Sequence, residues 1–398
     1  MITLNPTALR YPFLRHEFLQ ALEDSGSACD ASGWYPVHLS LQHDRPAVES
    51  PSGERASLED SSLEDSSLEG KVETLATEQS SALMPLYLKD HSMGEYVFDH
   101  AWANAYHQNG LEYYPKLVTS IPFTPSTGPR VRSEQPLTQD ECIQFVNEVL
   151  SVAEDTGASS WHFLFPSAEH RELFNDPRLL QRSGVQYHWH NRGYEQFDDF
   201  LATMNSRKRK MVRKERADVI AQGIRVGVEM GADISPELWS LFYQLYERTY
   251  AKRNGSRGYL TEEFFTQIAQ TMPEQIAMAV AWLDDQPIAC ALYFFDDETL
   301  YGRYWGSVGE FSYLHFELCY YTGIEFAISR GIKRYDAGAQ GEHKIVRGFE
   351  PVETHSLHWI KHPGFRDAIA RFLIEEKGGI ARHIEQANSM LPYKKADQ

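Results

Sequence analysis

Residues 276–337 read IAMAVAWL-DDQ-PIACALYFF-DDE-TLYGRYW-GSVGEFS-YLHFELCYYTGIEFAISR-G-IKRYDA, and this stretch decides the fold. Three apolar runs, at 276–283, 287–295 and 299–305, are parted by Asp284-Asp285-Gln286 and Asp296-Asp297-Glu298, the polar interruptions of tight turns. They predict a three-strand antiparallel meander. The apolar run at 313–330 is too long for a strand and predicts a helix, which Gly331 ends. Residues 332–337 then return as a strand. A right-handed crossover lays that strand parallel into the sheet. Ligands of such sheets bind where neighbouring strands diverge or the order reverses, which points to the ends of 287–295 and 332–337.

Outward from this stretch, residues 197–222 predict a long basic helix ended by Gly223, and 224–229 a strand. Ser235 is a natural N-cap for a helix over 236–252, with Pro236 at its first position and Glu237 in its first turn. Thr261 caps a second, short helix. In the first half, Phe13, Leu14, Phe18, Leu19 and Leu22 have helical spacing over 12–23. Strands are expected at 34–42, 82–89, 161–165 and 185–191, an extended segment at 112–120, and helices at 98–108 and 139–155. Pro122, Pro125, Gly128 and Pro129 force a loop. The chain thus divides into an α/β domain over 1–192 and a second over 193–398. Between about 44 and 80 the composition turns to Ser, Glu, Asp and Pro, and 57–70 reads SLEDSSLEDSSLEG. That five-residue unit fits neither the helical nor the strand period, so a disordered acidic insertion is expected.

A chain of 398 residues with 42% apolar and 13% aromatic residues can bury two cores. Its formal charge of −18 argues against general binding of nucleic acid or anionic membranes. No apolar run approaches the ~18 residues of a membrane span. The start lacks the pattern of a secretory signal. Cys29, Cys142, Cys290 and Cys319 are scattered, with no CxxC pair. The expectation is a soluble, cytoplasmic protein without structural zinc. GxSxG, HExxH and GxxxxGK[ST] are absent, which leaves serine hydrolase, zinc protease and P-loop readings without support.

Chemistry concentrates just after the last strand, in YDAGAQGEHKIVRGFEP at 335–351. Gly338 and Gly341 permit backbone shapes closed to other residues and expose amide N–H groups. Glu342, His343, Lys344 and Arg347 place a carboxylate, an imidazole and two cations within six positions. Amide formation needs a base for the incoming ammonium and donors for the oxyanion. Glu342 or His343 suits the first task, and Lys344 or Arg347 suits the second or the binding of phosphate. Gln340 and Gly341 belong to the same donor-binding loop. The simpler alternative is a solvated loop between strands.

Four further features stand out. Residues 207–216, RKRKMVRKER, carry seven cations and one acid in an otherwise acidic chain, so Arg207 and Lys208 are candidates for phosphate or tRNA contacts. A solvated helix surface is the plainer reading. Asp99, His100, Tyr114 and Lys116 are candidates for an acceptor pocket facing the second domain. His315, Glu317, Tyr320 and Tyr321 open the long helix, with the two tyrosines expected in the core and one phenol as a possible acid. His188 and His190 share one strand face, but with no third ligand they read as ordinary sheet histidines and no metal is expected.

The element order of the second half is that of a GNAT domain. The run GAQGEHKIVRGFEP, with HSLHW downstream and LHFELCYY upstream, resembles the FemAB-like family of peptidoglycan biosynthesis or recognition proteins. So do HSMGEYVFDHAWA at 91–103, YYPKLVTSIPFTP at 113–125 and SRKRKMVRKER from Ser206. The resemblance implies two tandem GNAT-like domains with mixed sheets, and an N-acyltransferase with a possible cell-wall role. Fem proteins take amino acids from charged tRNA and attach them to a peptidoglycan precursor. The implied donor here is acyl-CoA or aminoacyl-tRNA, and the implied acceptor a small-molecule or peptide amine. The coiled-coil arm of some Fem proteins is missing. So is a Gln/Arg-x-x-Gly-x-Gly/Ala loop before the 313–330 helix, a departure that weakens the case for acetyl-CoA. The alternative is a non-catalytic module that recognises a peptidoglycan precursor or a nucleotide-linked ligand. An RNA-associated protein is a third reading.

Overall fold

Ile276, Met278 and Val280 face one core, and Ala277, Ala279 and Ala281 face another, all fully buried. A strand buried on both faces is the mark of a sheet sandwiched between helical layers. The computed structural model describes residues 10–42, 82–255, 257–339 and 341–394. The acidic repeat at 57–70 and Gln340 lie outside the described residues.

The first half supplies strands β1 (Tyr35–Pro36), β2 (Leu39–Leu41), β3 (Ala82–Met84), β4 (Tyr87–Lys89), β5 (Lys116–Thr119), β6 (Arg132–Ser133), β7 (Ser160–Leu164) and β8 (Leu180–His190). The second supplies β9 (Arg225–Met230), β10 (Ile276–Leu283), β11 (Gln286–Phe295), β12 (Thr299–Ser307), β13 (Arg334–Asp336) and β14 (Glu350–Ile360). Among the described residues, eleven of these join one sheet in the order β1-β4-β5-β7-β14-β8-β13-β12-β11-β10-β9, and β2-β3-β6 form a small second sheet. The halves exchange strands at the seam. β14 pairs with β7 of the first half, while β8 crosses to pair with β13.

The meander and the crossover stand as the sequence predicts, with β13 parallel to β12. Other expectations need correction. The strands expected at 34–42 and 82–89 each break in two, beside Pro36 and Pro85, which lack the N–H that a ladder needs. The helix expected over 197–222 is two, Phe197–Thr203 and Ser206–Ala221. Asn205 caps the second by accepting from the Lys208 N–H at 3.0 Å, a role that suits Asn better than a helix interior. The helix expected over 313–330 is interrupted by a π-helical turn at Glu317–Tyr321. Such a turn leaves carbonyls without helical partners, and phenols take two of them. Tyr293 donates to Leu318 O, and Tyr335 donates to Cys319 O at 2.5 Å. Tyr335 fits between Gly302 and Gly323, where a Cβ would lie 2.8 Å from its hydroxyl and 2.5 Å from its ring. The long helix Pro363–Ser389 completes the chain along β8 and β14.

Candidate active site

β12 and β13 pair only from Thr299/Arg334 to Tyr301/Asp336, after which β12 runs on to Ser307 paired with β11 but not with β13. A cavity of about 720 Å³ opens at this divergence, lined by Gly302–Trp305 on one side and Ala337–Ala339 on the other. Its opposite wall comes from the first half, with Ser92, Tyr96, Phe98, His100 and Phe123. The end of the returning strand therefore lies on the cavity, as the sequence predicts.

The EHK segment forms a 3₁₀ helix, Glu342–Arg347, entered through Gly341 at φ 118°. This geometry sorts its four polar residues. His343 and Lys344 line the cavity; Glu342 is exposed and Arg347 is buried away from it. Lys344 is 1% exposed, and its Nζ donates to Gly338 O at 2.6 Å. Burial pushes its amine down to about 8, against the pull of Asp336. His343 Nε2 shares a hydrogen bond of 2.6 Å with the Tyr320 hydroxyl, which the π turn presents. Burial, then the charges of Arg347 and Lys344, lower its pKa and favour the neutral ring. His315 stands beside it, with ring centroids 6.2 Å apart, and is pushed down to about 3 mainly by burial.

Arg347 points elsewhere. Its guanidinium donates to Glu215 at 3.1 and 2.7 Å and to His343 O at 2.8 Å, and lies 3.5 Å from the Phe316 ring centroid. Glu215 is the single acid of the basic run, and the Tyr321 hydroxyl also donates to it. Arg216 is likewise occupied, by Glu317 at 2.9 Å and Glu325 at 2.7 Å. The basic helix is thus docked through residues 215 and 216, with Arg207 and Lys208 in its first turn, Arg207 exposed.

His100 reaches the cavity, whereas Asp99, Tyr114 and Lys116 stand one layer behind it. Lys116 Nζ donates to Ser92 Oγ at 2.8 Å and Asp99 Oδ2 at 2.5 Å, and the Tyr114 and Ser92 hydroxyls are 2.8 Å apart. Tyr320 lines the cavity, but Tyr321 and Glu317 do not. His188 is buried, 3.2 Å from Gln186 Oε1 and 3.7 Å from Asp336. Among the described residues no three His, Cys, Asp or Glu side chains cluster to hold a metal ion.

Several lining residues escape the sequence reading. Arg303 forms a buried pair with Asp336 at 2.8 Å, and this outweighs the effect of burial to hold the carboxyl well below its usual range. Tyr246, Thr249, Tyr250 and Arg253 line the cavity from one face of the helix Pro236–Asn254. Their i, i+3, i+4, i+7 spacing was the available signal. No Asp or Glu lines the cavity among the described residues, while Arg253, Arg303 and Lys344 do.

The profile of the FemAB-like family, peptidoglycan biosynthesis/recognition, matches residues 5–395. The chain belongs to this family. Comparison with curated proteins gives no match. Among solved structures, FemX is similar at 12% identity, covering 88% of this chain and 92% of that chain, with a TM-score of 0.50. L-PGS from Bacillus licheniformis has 13% identity over 74% and 86% of the two chains, TM-score 0.46. A tandem GNAT protein from the clavulanic acid biosynthesis pathway has 7% identity over 72% and 81%, TM-score 0.37. The FemX likeness shows the fold alone, a mixed α/β architecture with helices flanking the sheet. No helix among its described residues is long and apolar enough to cross a membrane.

Proposed function

We propose that this FemAB-like protein is an N-acyltransferase that moves an acyl or aminoacyl group from an activated donor to an amine acceptor, with peptidoglycan precursors as the acceptor class. We propose further that its two units, 1–192 and 193–398, close on the acceptor from opposite walls of the cavity. One observation carries the reading: an imidazole and a buried amine share a cavity that no carboxylate among the described residues lines. His343, oriented by Tyr320, takes the ammonium proton; Glu342, exposed and off the cavity, is less suited. Lys344 as a cation holds the oxyanion of the tetrahedral intermediate. Arg253, with Lys344, gives the cavity a preference for anionic ligands such as phosphate or carboxylate.

The donor is argued from the connection between β12 and the next helix. In a GNAT-like domain this turn would hold the diphosphate of coenzyme A. Here residues 308–313 offer one glycine, Gly309, and Glu310, which pairs with Lys252 at 2.5 Å. An acidic side chain at that turn repels a diphosphate, so the residues do not fit this group. Aminoacyl-tRNA is the preferred donor, and the exposed end of the basic helix, at Arg207 and Lys208, suits its phosphates. The same misfit favours, as a second reading, a module that binds a precursor without chemistry.

The test is a thermal-shift titration of the purified protein with coenzyme A, acetyl-CoA, longer acyl-CoAs and aminoacyl-tRNA. A ligand at 100 times its Kd stabilises by about 2.7 kcal/mol, a rise of several degrees for a chain of this size. A shift with charged but not uncharged tRNA supports aminoacyl transfer. A shift with one acyl-CoA replaces the donor. No shift with any donor, but one with a precursor peptide, leaves the binding module.

A further inference from the structure

Behind the wall of the larger cavity runs a buried polar chain that the acyl-transfer chemistry above does not use. A second cavity of about 240 Å³ lies on the other side of Tyr96 and Phe98, which line both. Ser92 lines the larger cavity and Ser356 the smaller. Between them the hydrogen bonds are continuous. Lys116 Nζ donates to Ser92 Oγ at 2.8 Å and to Asp99 Oδ2 at 2.5 Å. The Tyr113 hydroxyl donates to the same oxygen at 2.6 Å and lies 3.1 Å from His162 Nε2. His162 Nδ1 is 2.7 Å from His358 Nδ1, and His358 Nε2 is 2.8 Å from Ser356 Oγ. Every member is buried.

One proton order keeps every link of the chain. Tyr113 has one proton and gives it to Asp99, so its oxygen accepts from His162 Nε2–H. His162 Nδ1 is then bare and accepts from His358 Nδ1–H, which leaves His358 Nε2 to accept from the Ser356 hydroxyl. Ser160 Oγ, 2.9 Å from His162 Nε2, shares that ring's proton from outside the chain. All donors therefore point from the smaller cavity toward Asp99. The charged groups facing the chain are Lys116, Lys89, Glu95 and Arg182. Burial, then Lys116, pushes His162 down to about 3, and His358 is held well below its usual value by burial and His162. Neutral rings each keep one donor and one acceptor, as a relay requires. At the far end Asp99 Oδ1 and Glu95 Oε1 are buried without a hydrogen-bond partner.

We propose that Ser356, His358, His162, Tyr113, Asp99, Lys116 and Ser92 form a proton path joining the two cavities. A concerted shift moves one proton per link, from Ser356 to His358, to His162, to Tyr113 and to Asp99. Ser356 regains a proton from water in the smaller cavity. Lys116 passes one of its protons through Ser92 into the larger cavity and takes the one on Asp99. The reverse sequence runs only from the shifted tautomers and restores the starting ones. The path does not rest on the acyl-transfer reading.

The experiment uses the full chain with ¹⁵N-labelled histidine. Two-bond ¹H–¹⁵N spectra are expected to show His162 protonated at Nε2 and His358 at Nδ1, with ring protons that exchange into D₂O. Ser356→Ala closes one end and Tyr113→Phe opens a gap toward the other. Each is expected to slow ring-proton exchange, and the double variant to slow it at least ten-fold. Ser133→Ala, in the small second sheet and touching no member of the path, leaves the rate unchanged and serves as the folding control. Reversed tautomers at both rings, a cationic ring, or wild-type exchange in either folded single variant overturns the path. None of these readouts needs a substrate, so an acyltransferase assay that fails leaves this result standing, and the converse holds.

Discussion

Glu215 holds the guanidinium of Arg347 through two hydrogen bonds, 3.1 and 2.7 Å long, across 132 residues of sequence. The pair fastens the basic helix to the loop that carries His343 and Lys344. Arg347 is 5% and Glu215 6% exposed, so removing one partner strands a buried charge. Glu215→Ala is expected to cost about 3–5 kcal/mol. Thermal unfolding checks this. The double variant Glu215→Ala/Arg347→Ala should lose less than the sum of the single losses. Additive losses would show that the two residues are not coupled.

Turnover should follow a bell in pH. Its rising limb is the deprotonation of His343, whose pKa is lowered by burial and by Arg347. Its falling limb lies near 8, where the Lys344 cation is lost. Lys344→Arg should retain part of the rate and move that limb beyond pH 10, whereas Lys344→Ala and His343→Ala should each cut turnover ten-fold or more. Wild-type rates in both Ala variants would sink the assignment.

Lys344 also leaves a mark on stability. Its folded pKa of about 8 lies below the unfolded 10.5, so the unfolded chain binds more protons between those values. The contribution of this residue to stability therefore rises with pH from about 8 to 10.5. Denaturant unfolding of wild type and Lys344→Met across that window should show a steeper slope in the wild type, the depressed Lys89 contributing alike to both.

Gly341→Ala tests the loop geometry. At φ 118° an added Cβ would lie 2.7 Å from the His343 ring, so both the backbone and the imidazole must shift. The expected outcome is about 1–3 kcal/mol of lost stability, with a larger fall in kcat than in affinity. Unchanged kcat would remove His343 from the chemistry.

Arg207→Glu/Lys208→Glu tests the basic helix. If these residues meet tRNA phosphates, the pair should weaken tRNA binding several-fold at low salt. It should also flatten the plot of log K against log salt by roughly two contacts. Filter binding across a salt series measures both, and an unchanged slope would move the tRNA surface elsewhere.

Local sequence determined the order of elements in the second half. The meander, the crossover and the position of Glu342–Arg347 beyond the last parallel strand follow from hydrophobic runs, turn residues and caps, all short-range signals. Proximity in sequence also sufficed to bring His343 and Lys344 to one place. Tertiary structure alone decided which of the four polar residues meet the cavity. Arg347 is turned away by Glu215, and Lys116 is drawn behind the wall by Asp99 and Glu95, partners with no fixed spacing to announce them. The exchange of β8 and β14, the phenols that complete the π turn and the Ser92–Ser356 chain have the same origin. Periodicity records which face of an element is buried; what that face meets depends on contacts made only when distant segments pack.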